Sequence, residues 1–210
     1  MPPLPFHYMA LTPLDASQAN SRKGGPSFSL SNRLFRALWN LTWALLASWT
    51  PPPFGAWRRF LLTLFGARMG VACDVRGSAK VWYPPHLQMG DRSLLAERVN
   101  CYNMAPISLG ERALVSQGAH LCAGSHDIRT PDFQLIAKPI HIGADVWIAA
   151  EAFVGPGVNL GEGSVLGARA VAFKSLEAWG VYAGNPAEFV KRRLIVEKTG
   201  TSSVSQDTSQ

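Results

Sequence analysis

Ile142-Gly143-Ala144-Asp145-Val146-Trp147, Ile148-Ala149-Ala150-Glu151-Ala152-Phe153, Val154-Gly155-Pro156-Gly157-Val158-Asn159, Leu160-Gly161-Glu162-Gly163-Ser164-Val165 and Leu166-Gly167-Ala168-Arg169-Ala170-Val171 are five hexads in direct succession. Each opens on an aliphatic residue, continues with Gly or Ala, and carries a small residue or Val fifth. Neither helical nor strand periodicity produces a period of six. It fits a coil with flat sides, in which one aliphatic side chain per side fills the interior and Gly or a small residue lets the chain turn at each corner. One coil alone cannot bury its core, so coils must stack.

Outward from this stretch, the same rhythm is present from Met69 in three phases. Met69-Gly70, Val75, Val81 and Leu87 share the first, Met89-Gly90, Leu95, Cys101 and Ile107 the second, and Leu109-Gly110, Val115 and Leu121 the third. Each phase is offset by two residues after eighteen, which predicts three-sided solenoid coils with a small bulge at a corner. The rhythm breaks between His126 and Ile140 into a polar, Pro-containing loop, and loops projecting from a regular scaffold are where function tends to sit. After Val171 the chain leaves the repeat through Phe173-Lys174, reaches Gly184-Asn185-Pro186-Ala187, and is read as a short helix over 188–199, ahead of a Thr/Ser/Gln tail at 200–210 expected to be disordered.

The chain of 210 residues has an ordinary globular balance, 47% hydrophobic and 16% charged, with Gly 19 and Pro 15 suiting a turn-rich fold. Three cysteines, Cys73, Cys101 and Cys122, without a CxxC pair or a signal peptide, predict reduced thiols and a cytosolic location. The net charge of +6 is uneven. Residues 1–80 carry nine Lys and Arg against Asp15 and Asp74, whereas residues 81–210 carry eleven against twelve acids. The arginines are scattered among tryptophans and leucines, which argues against nucleic acid as a partner.

Residues 1–27, rich in Pro, Ser, Gly and Ala, read as a mobile arm, and 28–66 as an amphipathic helical segment. Leu34, Leu38, Leu41 and Leu45 recur at helical spacing, reinforced by Phe35, Trp39, Leu46 and Trp49, with Arg33, Arg36 and Asn40 opposite. Pro51-Pro52-Pro53 stops that helix. A second follows at Phe54, Trp57, Leu61, Leu64 and Phe65, with Arg58 and Arg59 on its polar side and Gly66 as C-cap. Three readings of 31–66 stay open: packing on the solenoid or on a neighbouring subunit, a peripheral anchor on the anionic cytoplasmic face of a membrane, or a true span, for which both segments are short or charged.

The hexads together with Lys138-Pro139-Ile140-His141-Ile142-Gly143, Val146-Trp147-Ile148, Pro156-Gly157-Val158 and Gly184-Asn185-Pro186-Ala187 resemble the hexapeptide-repeat acetyltransferases, from about residue 69 to 193. Ser116-Gln117-Gly118, Leu121-Cys122-Ala123-Gly124-Ser125-His126-Asp127 and the N-terminal helical stretch are most similar to the colanic acid biosynthesis acetyltransferases within that group. The resemblance implies a mainly β fold, a left-handed parallel β-helix over 67–187, assembled as a homotrimer with active sites between neighbours. It also implies an O-acetyltransferase that uses acetyl-CoA as acyl donor, needs no metal, and acts on a sugar or lipid-linked saccharide acceptor in exopolysaccharide biosynthesis.

By the same resemblance His126 is the general base, and an imidazole, titrating at about 6.5, suits removal of a hydroxyl proton near neutrality. Asp127 either orients that ring or meets the sugar, and Glu97 is a second candidate for orientation. Tyr102 and Asn103 fall where related enzymes present polar groups to the acceptor, with a plain turn as the alternative. Trp147 is expected beside the pantetheine arm or the acceptor, or in plain subunit packing. Ala149, Ala150, Gly167 and Ala168 occupy positions where small residues admit coenzyme A, and an amide at 149–150 is a candidate oxyanion donor. Phe173, Lys174, Lys191 and Arg192 are expected at the nucleotide end, Glu188 standing where the family commonly has Arg. His120, His126 and His141 all fall sixth in a hexad, which raises the three-histidine zinc site of the γ-carbonic anhydrases; the His pair five apart of that pattern is missing here. A non-catalytic trimeric scaffold is the further alternative.

Overall fold

The computed structural model describes residues 13–19 and 25–195. The hexads fold as anticipated into a parallel β-solenoid, with three sheets as its faces. Arg68–Met69, Leu87–Met89, Ile107–Leu109, Ile140–Ile142 and Asn159–Leu160 stack in the first sheet. The second runs from Asp74–Val75 through Leu94–Leu95, Leu114–Val115, Trp147–Ile148 and Val165–Leu166 to Gly180–Ala183. Lys80–Val81, Asn100–Tyr102, His120–Cys122, Phe153–Val154 and Val171–Ala172 form the third. Arg68 lies beside Gln88 and Gln88 beside Ser108, whereas Ser108 meets His141, 33 residues on. One coil is therefore longer than the others by the loop that begins at His126.

The first hexad residues fill the interior: Val75, Leu95, Val115, Ile148 and Leu166 are each fully buried. Of the glycines expected to turn corners, Gly118, Gly157 and Gly163 do so, at φ 70°, 81° and 66°, whereas those second in the hexad have a different role. A Cβ on Gly110 would stand 2.5 Å from the Ala144 amide nitrogen, and one on Gly161 2.4 Å from that of Ala178. These glycines admit the backbone of the next coil, while the tight corners fall on residues such as Arg92, Arg112, Asp145 and Glu151, all with φ between 56° and 59°. The charged corners then pair between coils, Arg112 with Asp145 and Arg169 with Glu151, both at 2.6 Å.

Helix α1 spans Ala16–Ala19, α2 Leu30–Leu46 and α3 Gly55–Leu64. Ser29 caps α2 at the Asn32 amide, and Gly66, at φ 91°, follows α3 as its C-terminal turn. The face of α2 that docks on the solenoid is not the leucine stripe. Trp39 and Trp43 are buried and donate their indole N–H groups to the carbonyls of Val81 and Gly77, at 2.7 and 3.0 Å. Leu34, Leu38, Leu41 and Leu45 point outward, each more than half exposed. Arg58 departs from the expected polar face of α3 in the opposite sense: its side chain is fully buried, paired bidentately with Asp74 and bonded to the carbonyls of Val75, Pro51 and Pro52.

Two further expectations are corrected. The segment after Gly184-Asn185-Pro186-Ala187 is a strand, Glu188–Arg192, paired antiparallel with Gly180–Ala183, in place of a helix. The free edge of the last coil offers backbone partners, and Phe189 packs edge-on against Tyr182 at 5.6 Å, so pairing overrides a weak helical pattern. Part of the region read as a mobile arm is docked: Ala16 N–H donates to Gln134 Oε1 at 2.7 Å, and Leu14 N–H to the Ser27 carbonyl at 2.9 Å. The rest of that arm, 1–12 and 20–24, and the 200–210 tail lie outside the described residues. Among the described residues no helix is long and apolar enough to cross a membrane.

Candidate active site

After His120–Cys122 the chain leaves the coil as the strand Gly124–His126, reverses, and returns antiparallel as Leu135–Ala137. Gly124 is needed for the departure, since a Cβ there would meet Met104 Sδ at 2.5 Å. The reversal is tied internally. Asp127 N–H donates to the Gln134 carbonyl at 2.8 Å, and Thr130 Oγ1 donates to the Asp127 carbonyl while accepting from Gln134 N–H. Phe133 takes φ 49°, and its carbonyl lies 2.7 Å from His126 Nδ1. A carbonyl only accepts, so Nδ1 carries the proton and Nε2 keeps its lone pair.

Neither sequence-derived candidate for orienting this ring does so. The Asp127 carboxylate is taken by Arg129, at 2.8 and 2.9 Å, and those hydrogen bonds hold its pKa down at about 2. Glu97 lies 3.4 Å from Arg76. A main-chain carbonyl is the positioning group, and no sequence motif announces one.

His126 borders a depression of about 350 Å³ together with Phe28, Arg33, Arg36, Trp82 and Tyr102. Trp82 is its floor, with Tyr102 edge-on at 5.6 Å, Phe28 at 5.1 Å and the Arg36 guanidinium 4.2 Å above its ring. Burial raises the Tyr102 phenol above its usual pKa. A larger groove of about 460 Å³ runs between α2 and the solenoid and shares Trp82; it carries Lys80 but, among the described residues, no histidine or carboxylate. Of the two, only the smaller depression brings a histidine to its rim.

Of the expected acceptor residues, Tyr102 is brought to His126. Asn103 is not available to a substrate: it is fully buried, its amide bonded in both directions to the main chain of Tyr83 at 2.8 and 2.9 Å. Phe28, Arg33, Arg36 and Trp82 escaped sequence reasoning. A signal existed for Trp82, which stands second in its hexad where Gly or Ala is the rule, as Tyr102 does in the next coil.

The positions expected to hold the donor lie elsewhere on the same chain. Trp147, on the second sheet, is 45% exposed and donates its indole N–H to Ser116 Oγ at 2.9 Å. Ala149 follows it, but the Ala149 amide already donates to the Leu166 carbonyl at 2.8 Å, which removes it as an oxyanion donor. Ala150 and Gly167 are half-buried and Ala168 exposed on the neighbouring corners. Phe173 and Lys174 are exposed past the last third-sheet strand, Lys191 is exposed on the terminal strand, and Arg192 is engaged by Glu177 at 3.2 Å and the Ala178 carbonyl. None of these borders the His126 depression. His120 and His141 also stand apart, His120 bonded to Asn100 on the third sheet and His141 to Ser108 on the first.

The parallel β-solenoid is the fold this chain shares with solved hexapeptide-repeat acetyltransferases. No protein-family model matches the chain. A chain of Escherichia coli strain K12 that carries the name colanic acid biosynthesis acetyltransferase WcaF is 41% identical over 170 residues, 81% of this chain and 93% of its own length. A hexapeptide-repeat acetyltransferase from Vibrio cholerae, solved in complex with acetyl coenzyme A, superposes with a TM-score of 0.71 at 22% identity, over 80% of this chain and 91% of that one. A galactoside acetyltransferase in complex with coenzyme A gives a TM-score of 0.66 at 18% identity, over 85% and 91%. The chain belongs to the hexapeptide-repeat acetyltransferases, in the family that includes WcaF.

Proposed function

We propose that this protein transfers an acetyl group from acetyl-CoA to a hydroxyl of a saccharide acceptor in exopolysaccharide biosynthesis, with His126 as general base. The observation that carries this reading is the bond from His126 Nδ1 to the Phe133 carbonyl, which reserves Nε2 for a substrate proton in a depression walled by aromatic rings. Acetyl-CoA, the donor substrate, supplies the activated thioester. As the acceptor oxygen bonds to the carbonyl carbon and the C–S bond breaks, Nε2 takes the hydroxyl proton and passes it to the leaving thiolate, so no acyl-enzyme is needed. Trp147 with the small residues Ala149, Ala150, Gly167 and Ala168 suits the pantetheine arm. Lys174 and Lys191, exposed and, among the described residues, in no ion pair, suit the phosphates.

Trp147 and Lys191 belong to the second sheet, whereas Tyr102 of the acceptor depression belongs to the third, so a single active site is best built with one face from each of two neighbours. This favours a homotrimer, the closed assembly that three-sided solenoids permit. The outward stripe of α2, continued by Trp49, Phe54, Trp57 and Leu64, favours peripheral contact with an anionic lipid surface, because the chain carries no acid from residue 16 to 73.

The test is acetyl transfer from labelled acetyl-CoA to saccharide precursors, followed by mass spectrometry. His126→Ala should lower turnover by about 100-fold or more with the fold unchanged by circular dichroism. Near wild-type turnover in that variant overturns the base assignment.

A further inference from the structure

The depression beside His126 holds two cations that the transfer chemistry does not use. Arg33 and Arg36 are one helical turn apart on α2, so both side chains reach the same rim. Arg36 is fixed: its Nε donates to Asn32 Oδ1 at 2.9 Å, and its guanidinium carbon lies 4.2 Å from the centre of the Trp82 ring and 5.7 Å from that of Phe28. Among the described residues neither arginine has a carboxylate partner, in a protein where Arg58, Arg76, Arg92, Arg112, Arg129, Arg169 and Arg192 all do. The nearest acids along the chain are Asp15 and Asp74.

Holding two like charges at one rim is unfavourable, the more so because Arg36 is half-buried. Burial is the main cause that lowers the Arg36 pKa; the Tyr102 phenol opposes it and the charge of Arg33 adds to it. An arginine does not escape by losing its proton, so the site is completed by an anion brought from outside. The neutral part of that ligand is set by the same walls: Trp82, Tyr102 and Phe28 offer flat apolar faces of the kind that pack on a sugar ring.

We infer that the acceptor is an anionic saccharide, whose ring lies on Trp82 and Tyr102 beside His126 and whose negative group, a carboxylate or a phosphate, is held by Arg33 and Arg36. The inference rests on the acceptor side of the proposed function and names its substrate class. It also gives α2 a part in specificity, since a helix outside the solenoid supplies both cations.

Calorimetric titration of the full chain with three matched probes separates this inference from the transfer reaction, because no acetyl-CoA is present. The probes are methyl glucoside, methyl glucuronoside and glucose 1-phosphate. At low salt at least one anionic probe should bind on the order of 10-fold more tightly than the neutral one, as charge-assisted hydrogen bonds require. The stronger of the two tells carboxylate from phosphate. Arg33→Gln, at an exposed position where folding is not at risk, should remove part of the preference, and Arg33→Gln with Arg36→Gln nearly all of it. Absence of any anion preference in the wild type, or its survival in the folded double variant, overturns the inference. In the transfer assay the Arg33→Gln change should raise KM for a charged acceptor and leave kcat within about 2-fold; if binding shows the anion preference but no acetyl transfer occurs, the reaction is wrong and the anion site stands.

Discussion

At His126 a hydrogen bond does what a triad carboxylate does in many hydrolases. The Phe133 carbonyl fixes the tautomer, and Phe133 presents it from the left-handed region, at φ 49°. Asp127, adjacent in sequence, is a different kind of residue: Arg129 claims its carboxylate and stiffens the hairpin turn. With its folded pKa at about 2, below the unfolded value of about 3.9, the pairing contributes in full above the unfolded value and is lost as pH falls toward 2. Across pH 5 to 9 Asp127 stays ionised. Asp127→Asn should therefore lower kcat by less than about 10-fold and leave the shape of the pH–rate profile in that window unchanged. A loss as large as that of His126→Ala would make Asp127 the group that orients the ring.

Among the elements, α3 is held by one buried charge. Arg58 answers Asp74 and three main-chain carbonyls from a side chain with no solvent exposure, so removing it strands a partly buried carboxylate and several acceptors. Arg58→Ala should cost roughly 3 kcal/mol or more by chemical denaturation, whereas Arg59→Ala, a half-buried neighbour with one carbonyl bond, should cost far less. This residue shows where sequence reading stopped. The hexads specified the solenoid because one buried aliphatic per side is a local rule repeated in every coil. Helical periodicity located α2 and α3 to within a few residues, but the apolar part of α2 carries a tryptophan stripe beside a leucine stripe, and pattern alone does not tell whether Trp39 and Trp43 or the leucines dock. Arg58 and the strand Glu188–Arg192 were set by partners distant in sequence, Asp74 and the edge at Gly180–Ala183. At the candidate site, the family resemblance singled out both His126 and Tyr102, and the structure places them at one depression. Phe133 acts through its backbone, and Arg33 and Arg36 looked like any solvated helix face.

For the whole molecule, the outward side of α2 and α3 leaves a choice between lipid and a neighbouring chain. Leu38 and Leu45 are 57% and 62% exposed and Trp49 70%, in a segment with arginines and no acids. Burying a Leu or Trp side chain is worth about 1.5–3 kcal/mol, so a few such residues together suffice for reversible binding at an interface, and basic residues add attraction to an anionic leaflet. The wild-type protein should co-sediment with vesicles containing anionic phospholipid, more weakly with purely zwitterionic ones, and less as salt rises. The combined Leu38→Ser, Leu45→Ser and Trp49→Ser variant should lose at least about 10-fold in vesicle partition while keeping the wild-type mass by light scattering. Because Trp39, Trp43 and Arg58 still hold the helices to the solenoid, its acetyl transfer to a water-soluble acceptor should be unchanged. If the variant instead falls to a lower mass than the wild type, and the wild type ignores both vesicle types, the stripe is a seam between chains.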